Sequence, residues 1–272
     1  MEIESRIHRL IDMIELRVGA VGVPIDLNEV TPDTSNQATE RQRTLLLQRL
    51  NDILALQLSE IFITREELSY STDIDVTRFR NEQLLTVAQR NGIEITSILD
   101  AFACAGIDTL SFMQFFPEAN VTAVELDKTR AMNLAANVKQ VERGGTISVY
   151  GGDVGELPET SYPVIYCDPP WTLEGEDREM DVDELTDFIV AKVLERFTGS
   201  LVCVKSRHSH LSPFLWVKDT QYLKVLAIEC INMTHADNPT KGRYFFHYYV
   251  RNELVREKGG YLPRFVVYHF RR

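Results

Sequence analysis

The segment Asp168-Pro169-Pro170-Trp171 has the residue types and the spacing needed to hold the amino group of a flat base. It follows an apolar run at 163–167 that predicts a buried strand. Two successive prolines fix φ and keep the preceding residues extended, so the segment forms a rigid hook with exposed carbonyl groups. A carboxylate and a proline carbonyl can accept both N–H bonds of an aryl amine, while an aromatic ring stacks on the base. We therefore expect these four residues to be catalytic in the modification of an exocyclic base amine.

Three further acidic residues, Asp100, Glu125 and Asp153, stand at or just after the ends of apolar runs. In a parallel sheet the ligand lies at the carboxyl ends of the strands, so we expect these acids in one site. A carboxylate at Glu125 can accept hydrogen bonds from ribose hydroxyls, and one at Asp153 is placed to meet an adenine amine. The small residues at 100–106 allow the backbone to approach a ligand closely, and an ordinary tight turn between strand and helix is the alternative. The segment lacks the glycine pattern of a pyrophosphate site. The set favours an adenosine ligand without a diphosphate, and S-adenosylmethionine fits that description.

The elements that must position these residues change in character near residue 95. Apolar runs that predict short strands lie at 95–99, 121–126, 146–150, 163–167 and 201–204. Helical patterns separate the runs at 107–116, 128–141 and 182–197. This alternation predicts an α/β, Rossmann-like fold with a mostly parallel sheet flanked by helices.

The first 90 residues are predicted to be mainly helical, with helices at 2–18, 39–62 and 78–90. A loop is expected at 20–36 and irregular structure at 64–76. We therefore divide the chain into a helical N-terminal extension, residues 1–75, and a catalytic domain, residues 76–272. Near the end of the chain, the aromatic run at 244–249 predicts a late strand with one buried face, and the lining of an RNA groove is the alternative.

The charge distribution limits the class of partner. The net charge is −11, which argues against nonspecific binding of long nucleic acid but leaves a small or structured one open. Residues 241–272 carry eight basic and two acidic residues, whereas residues 173–187 carry eight acidic residues and one basic residue. The four cysteines and six histidines show no metal-ligand spacing, so no metal is expected. Residues 1–20 carry charges throughout, so we expect a soluble intracellular protein of the nucleus or cytoplasm, without a membrane span.

Residues 75–210 resemble the RNA cap guanine-N2 methyltransferases, the trimethylguanosine synthase family, within the class I S-adenosylmethionine-dependent methyltransferases. The matching positions, in the family's order, are Asp100, Phe102, Gly106, Thr109, Phe112, Ala123-Val124-Glu125-Leu126-Asp127, Asn133, Asn137, Gly152-Asp153 and Pro169-Pro170-Trp171. The resemblance implies a Rossmann-like fold with a helical N-terminal extension and S-adenosylmethionine as methyl donor. The residues that it places around the donor, with their neighbours in the same motifs, are Asp100, Phe102, Ala103, Gly106, Thr109, Glu125, Leu126 and Asp153.

The same resemblance implies how the acceptor binds. Trp171 stacks on a cationic 7-methylguanine, which adds a cation–π contribution. Lys205 and Arg207 stand where the family places an arginine against the cap phosphates, although a surface basic pair is the alternative. Capped RNA or a cap analogue is thus the expected partner, and N2 of the cap guanine the expected methyl acceptor.

Two departures keep other functions open. Thr172 and Leu173 follow Trp171 where the family commonly has two glycines, and Asp168 replaces a serine found in cellular members. Aspartate at this position is usual in enzymes that methylate the adenine amine, so an N6-adenine methyltransferase acting on DNA or RNA is the alternative. A catalytically inactive cap- or RNA-binding subunit is a second alternative. Ribose 2′-O methylation, with Lys205 and Asp168 as two members of a Lys-Asp-Lys-Glu set, ranks last.

Overall fold

One mixed sheet of ten strands forms the centre of the fold. The computed structural model describes residues 23–32, 34–142, 144–172, 178–233, 243–256 and 263–270. The strands are β1 (Val23–Pro24), β2 (Ser97–Asp100), β3 (Asn120–Glu125), β4 (Ile147–Gly151), β5 (Thr160–Cys167), β6 (Phe197–Ser206), β7 (Phe214–Val217), β8 (Thr220–Asn232), β9 (Arg243–Arg251) and β10 (Arg264–Phe270). Their order is β1-β4-β3-β2-β5-β6-β9-β8-β10, with β7 paired to β8.

Three helices of the described residues lie between β1 and β2 and the others between later strands, and most begin at a side-chain N-cap. They are α1 (Glu40–Leu54), α2 (Arg65–Tyr70), α3 (Ile74–Asn91), α4 (Ile107–Phe115), α5 (Lys128–Val138) and α6 (Val182–Ile189), the last continued by a π-helical turn, Val190–Leu194. Thr39 and Thr64 form capping boxes at the starts of α1 and α2. Gly92, in the left-handed conformation with φ 67°, ends α3. None of these helices is long and apolar enough to cross a membrane.

The parallel centre of the sheet brings the strand ends that matter to one edge. Strands β4, β3, β2, β5 and β6 run parallel to one another, and β9 pairs antiparallel to β6. Asp100 at the end of β2 is in register with Tyr166 of β5, so the hook at Asp168 begins beside it. The acidic residues and the hook therefore lie at the same carboxyl edge.

The sheet has apolar packing on both faces. Helices α1, α3, α4 and α5 contribute Leu50, Leu84, Leu110 and Leu134 to one core. On the other face α6 and the π-helical turn contribute Leu185 and Val193, among others, to a second core. Three of the four cysteines are buried and all four are free thiols.

The α/β fold and its five central strands are confirmed, while several local predictions were wrong. The helix expected at 39–62 ends at Leu54, because Ala55 turns into the left-handed conformation. The segment 64–76, expected to be irregular, holds α2 and the start of α3. Strand β1 lies within the expected loop at 20–36, and β9 is buried on both faces rather than one, because loop and helix residues cover it on either side.

The predicted N-terminal helix at 2–18 lies outside the described residues. The division into residues 1–75 and 76–272 stays a prediction. Its boundary falls within the first turn of α3, and that helix shares a core with the sheet.

Candidate active site

The hook, residues 168–171 after β5, is fixed by backbone contacts at its C-terminal end. The carbonyl oxygen of Trp171 accepts a hydrogen bond of 2.7 Å from the amide of Met180, and Thr172 forms a bridge with Glu179. The carbonyl oxygen of Met180 is in turn 2.7 Å from Nε2 of His208. Pro169 is buried and Pro170 exposed. These contacts therefore hold the backbone of Trp171 in place at the edge of the sheet.

The indole ring of Trp171 already has a cation on it. The guanidinium carbon of Arg207 lies 4.4 Å from the ring centroid, and Nζ of Lys205 lies 5.5 Å from it. The Trp171 Nε1 donor is buried and has no acceptor among the residues that the structure describes. A buried donor without a partner costs about 1–3 kcal/mol, so a ligand acceptor at this point would be favoured.

Asp168 meets Lys205, which comes from the neighbouring strand β6. Oδ2 of Asp168 accepts a hydrogen bond of 2.6 Å from Nζ of Lys205, whose side chain is only 2% exposed. Burial raises the pKa of Asp168, and Lys205 opposes this because its positive charge favours the carboxylate. No described residue donates a hydrogen bond to the second oxygen, Oδ1.

The ion pair continues into a buried network that begins before α3. Oγ1 of Thr72 accepts a hydrogen bond of 2.9 Å from Nζ of Lys205 and donates one of 2.8 Å to Oδ2 of Asp108. Asp108 also pairs with the fully buried guanidinium of Arg80. Burial is the largest influence on the pKa of the Arg80 guanidinium and lowers it. The charge of Asp108 opposes this, and the pKa stays above its ordinary value.

The donor side of the edge is centred on Asp100. Oδ2 of Asp100 accepts a hydrogen bond of 2.6 Å from the hydroxyl of Thr109, whereas Oδ1 is buried without a partner in the described part of the chain. Burial, with a further contribution from the nearby charge of Asp108, raises the pKa of Asp100 to about 7. Gly106 begins α4 at φ 86°, and a Cβ atom there would lie 2.4 Å from Leu134. A glycine is therefore required where the turn enters the helix.

Glu125 ties the turn after β2 to the end of β3. Its Oε2 accepts a hydrogen bond of 2.9 Å from the amide of Cys104, and its Oε1 accepts one of 2.9 Å from the amide of Asp127. Cys104 has φ 49°, so this bond stabilises an uncommon backbone conformation. Each carboxylate oxygen has a second lone pair, so Glu125 can still accept bonds from a ligand. The next residue, Leu126, is 49% exposed.

The remaining predicted donor residues lie around this turn and the end of β4. Asp153 pairs with Lys192 at 2.7 Å and caps the following 3-10 turn through the amide of Gly155, at 2.8 Å. The rings of Phe102 and Phe188 are 5.8 Å apart. Ala103 is buried, and its amide donates to the carbonyl oxygen of Val124. An adenine amine at Asp153 would share that carboxylate with Lys192.

Comparisons with known proteins bear on the fold and on one stretch of the sequence. No family model matches the chain. A tRNA1(Val) (adenine(37)-N6)-methyltransferase from Pedobacter heparinus is 29% identical over 129 residues, which are 46% of this chain and 55% of that protein. The chain thus spans about half the length of the curated relative that it matches.

Two solved structures share the architecture. A Listeria monocytogenes protein assigned to the class I S-adenosylmethionine-dependent methyltransferases has a TM-score of 0.51 at 13% identity, covering 89% of this chain and 75% of that one. A human methyltransferase 10 domain-containing protein has a TM-score of 0.51 at 13% identity, covering 76% and 94%. The fold is that of the class I methyltransferases. Within this fold, the strand order places the turn after β2 and the hook after β5 side by side.

Most predicted site residues of this methyltransferase fold lie in one of two adjoining groups. The turn after β2 and the ends of β3 and β4 form the first group, named the donor group after its predicted ligand, and the hook with Lys205 and Arg207 forms the second, named the acceptor group. Lys205 is not on an open surface, as a phosphate contact would be, but is buried against Asp168. Arg207 is half-buried and lies on the indole.

Several residues that hold the acceptor group through hydrogen bonds or ion pairs had no site prediction from the sequence, namely Thr72, Arg80, Asp108, Met180 and His208. One sequence signal was available for Arg80. It falls on the same helical face as Val76, Leu84 and Val87, all buried in α3. A charged residue in phase with an apolar stripe indicates a buried pair.

The donor group suits S-adenosylmethionine, as the unpartnered Oδ1 of Asp100 shows. That oxygen is a buried acceptor with no donor of its own among the described residues, and it belongs to a carboxyl whose pKa lies near neutrality. A ligand that brings an ammonium or hydroxyl group to this position would satisfy the oxygen and favour its ionised form. The exposed side chain of Leu126 adds an apolar surface beside it.

Proposed function

We propose that this protein is an S-adenosylmethionine-dependent methyltransferase that acts on an exocyclic base amine, with N6 of adenine in RNA as the acceptor. The observation that carries the proposal is the Asp168 carboxylate. One of its oxygens is held by Lys205, the other has no donor among the described residues, and the group adjoins both the indole of Trp171 and the end of β2. A carboxylate held in this way accepts an N–H bond of a base amine without having to be reoriented.

The residues that would hold S-adenosylmethionine are Asp100, Glu125, Leu126 and Asp153. This ligand supplies an electrophilic methyl group on a sulfonium sulfur. In the transfer, the amine nitrogen forms the new C–N bond as the C–S bond breaks, and one amine proton is lost to solvent. Asp168 orients the amine by accepting one N–H bond, which frees the nitrogen lone pair. Trp171 holds the plane of the base by stacking, a contact worth about 1–3 kcal/mol.

Adenine is favoured over guanine by two observations. The curated relative from Pedobacter heparinus is named as an adenine-N6 enzyme of a transfer RNA, and it is similar to part of this chain. In addition, Arg207 already lies on the indole ring, with Lys205 nearby. A neutral adenine adds no charge there, whereas a cationic 7-methylguanine on the same ring would be repelled by the guanidinium of Arg207.

Cap guanine N2 is the second candidate, because the indole of Trp171 accommodates a cation on its ring at 4.4 Å. A 7-methylguanine would take this position by displacing Arg207. The released guanidinium would then be able to bind the cap phosphates as a bidentate donor. This candidate therefore predicts that replacing Arg207 weakens activity on substrates that carry the cap phosphates. The adenine candidate predicts no such dependence on the phosphates.

The test is methyl transfer from labelled S-adenosylmethionine to capped RNA, free cap dinucleotide, uncapped structured RNA that includes transfer RNA, and DNA. Nucleoside analysis of the products then separates N6-methyladenosine from N2-methylguanosine. We expect label in N6-methyladenosine of uncapped RNA, and none with the Asp168→Ala variant. Label in N2-methylguanosine of cap substrates only would replace the adenine assignment by the second candidate. Calorimetry with S-adenosylmethionine alone tests the inactive-subunit alternative, which predicts no binding.

A further inference from the structure

Lys205 is enclosed by four side chains from three separate segments of the chain. Its Nζ contacts Oδ2 of Asp168 at 2.6 Å and Oγ1 of Thr72 at 2.9 Å. The rings of Tyr244 and Trp171 lie 5.3 Å and 5.5 Å from the same nitrogen. With 2% of its side chain exposed, Lys205 is buried too deeply to serve as a free surface cation. Its charge therefore acts on the group that it touches, the Asp168 carboxylate.

The other charges around Asp168 do not by themselves keep it ionised. Burial raises its pKa, and the charge of Asp108 acts in the same direction. Arg80 and Lys205 lower the pKa, but Arg80 is already paired with Asp108, and among the described residues only Lys205 donates a hydrogen bond to Asp168. Without Lys205, burial and the charge of Asp108 are opposed by one cation that is committed elsewhere, so the protonated form of Asp168 becomes more favourable.

We propose that Lys205 is a positioning residue for the methyl-transfer step: it fixes one oxygen of Asp168 and keeps the group a carboxylate, which leaves Oδ1 to accept the N–H of the base amine. Thr72, from the segment before α3, fixes Lys205 for this role through its hydroxyl. The inference rests on the proposed amine methylation. A protonated Asp168 loses acceptor capacity to its O–H, and its neutral carbonyl oxygen is a weaker acceptor than a carboxylate oxygen, so it holds the amine less well.

The test compares the pH dependence of kcat/KM in the wild type and in Lys205→Met. An opposite charge this close changes a carboxyl pKa by about 1–3 units, so the acid limb should move to higher pH by about that amount. Methyl transfer by the variant should then recover as the pH rises, with the dissociation constant for S-adenosylmethionine unchanged. Lys224→Met is the matched control. Lys224 is also a buried lysine, 5% exposed on β8, but it bonds the carbonyl oxygen of Leu211. The acid limb of kcat/KM in Lys224→Met should stay at the wild-type pH.

A second pair of variants covers the case in which Lys205→Met does not fold. Thr72→Val removes the hydroxyl while keeping the side-chain shape, and should lower kcat about tenfold or more, because a hydrogen bond to a charged group is lost. Thr72→Ser keeps the hydroxyl and should restore the wild-type rate. An unmoved acid limb in a folded Lys205→Met protein, or equal rates in Thr72→Val and Thr72→Ser, would overturn the proposal.

A readout without turnover separates this inference from the proposed function. The protonation of Asp168 can be followed by its carboxyl stretch in the infrared, as the difference between each protein and its Asp168→Asn counterpart. We expect protonation at higher pH in Lys205→Met than in the wild type. If the wild type methylates no nucleic acid, the proposed function fails, while an unchanged infrared titration refutes the effect of Lys205 itself.

Discussion

Replacing Arg80 with methionine is expected to lower the free energy of unfolding by about 3–5 kcal/mol. The Arg80 side chain is fully buried and its partner Asp108 is 11% exposed. Removing one member of a buried ion pair leaves the other as an uncompensated charge, and among the described residues Asp108 would keep only the hydroxyl of Thr72 as a donor. The guanidinium also lies 4.1 Å from the ring of Phe112 and 4.5 Å from that of Tyr166, so cation–π contacts are lost as well.

The same helix provides a matched control. Arg78 pairs with Glu82 at 3.2 Å, but the two side chains are 57% and 44% exposed. A solvent-exposed pair of this kind contributes about 0–1 kcal/mol, so Arg78→Met should hardly change stability. Both variants remove one arginine from α3 and introduce the same side chain. The difference between them therefore measures burial rather than helix propensity or net charge.

Urea unfolding at neutral pH, followed by circular dichroism, provides the measurement. A third protein, Arg80→Met with Asp108→Asn, should recover part of the loss, because the unpaired charge is then removed together with its partner. Equal losses in Arg80→Met and Arg78→Met would show that the buried pair does not stabilise the fold as argued here. A double variant that is no more stable than Arg80→Met would show that packing, not charge, explains the effect.

Three further predictions concern the site. Burial raises the pKa of Asp100 to about 7, so its ionisation should destabilise the fold as the pH rises from about 4 to 7. Relative to Asp100→Asn, the wild type should lose unfolding free energy over that range, and parallel curves would contradict this. Gly106→Ala should cost about 1–3 kcal/mol, measured by the same unfolding assay, because of its φ of 86° and the contact with Leu134. A stability equal to the wild type would refute it. Trp171→Ala should abolish turnover and leave donor affinity in calorimetry largely intact, whereas weaker donor binding would place the indole on the donor side.

The sequence by itself determined the features that depend on local rules. Alternating apolar runs and helical patterns predict the α/β fold, because the 2.0- and 3.6-residue periods belong to single elements. Acids at the ends of parallel strands lie at the same edge of the sheet, so the sequence alone could place Asp100 and Glu125 at one edge. The hook at Asp168 is equally local, since its rigidity comes from two consecutive prolines.

Only the tertiary structure decided which charges meet. Lys205 and Asp168 are 37 residues apart, and Lys205 and Thr72 are 133 apart, yet each pair is joined by a hydrogen bond. The first contact follows from the strand order, which sets β6 beside β5, and the second from the packing of α3 on β8 and β9, which brings the preceding Thr72 to Lys205. Strand order is a property of the whole sheet, and no periodicity within one segment contains it. For the same reason, the sequence identified Lys205 as a basic residue at a strand end, whereas the structure shows it buried against Asp168.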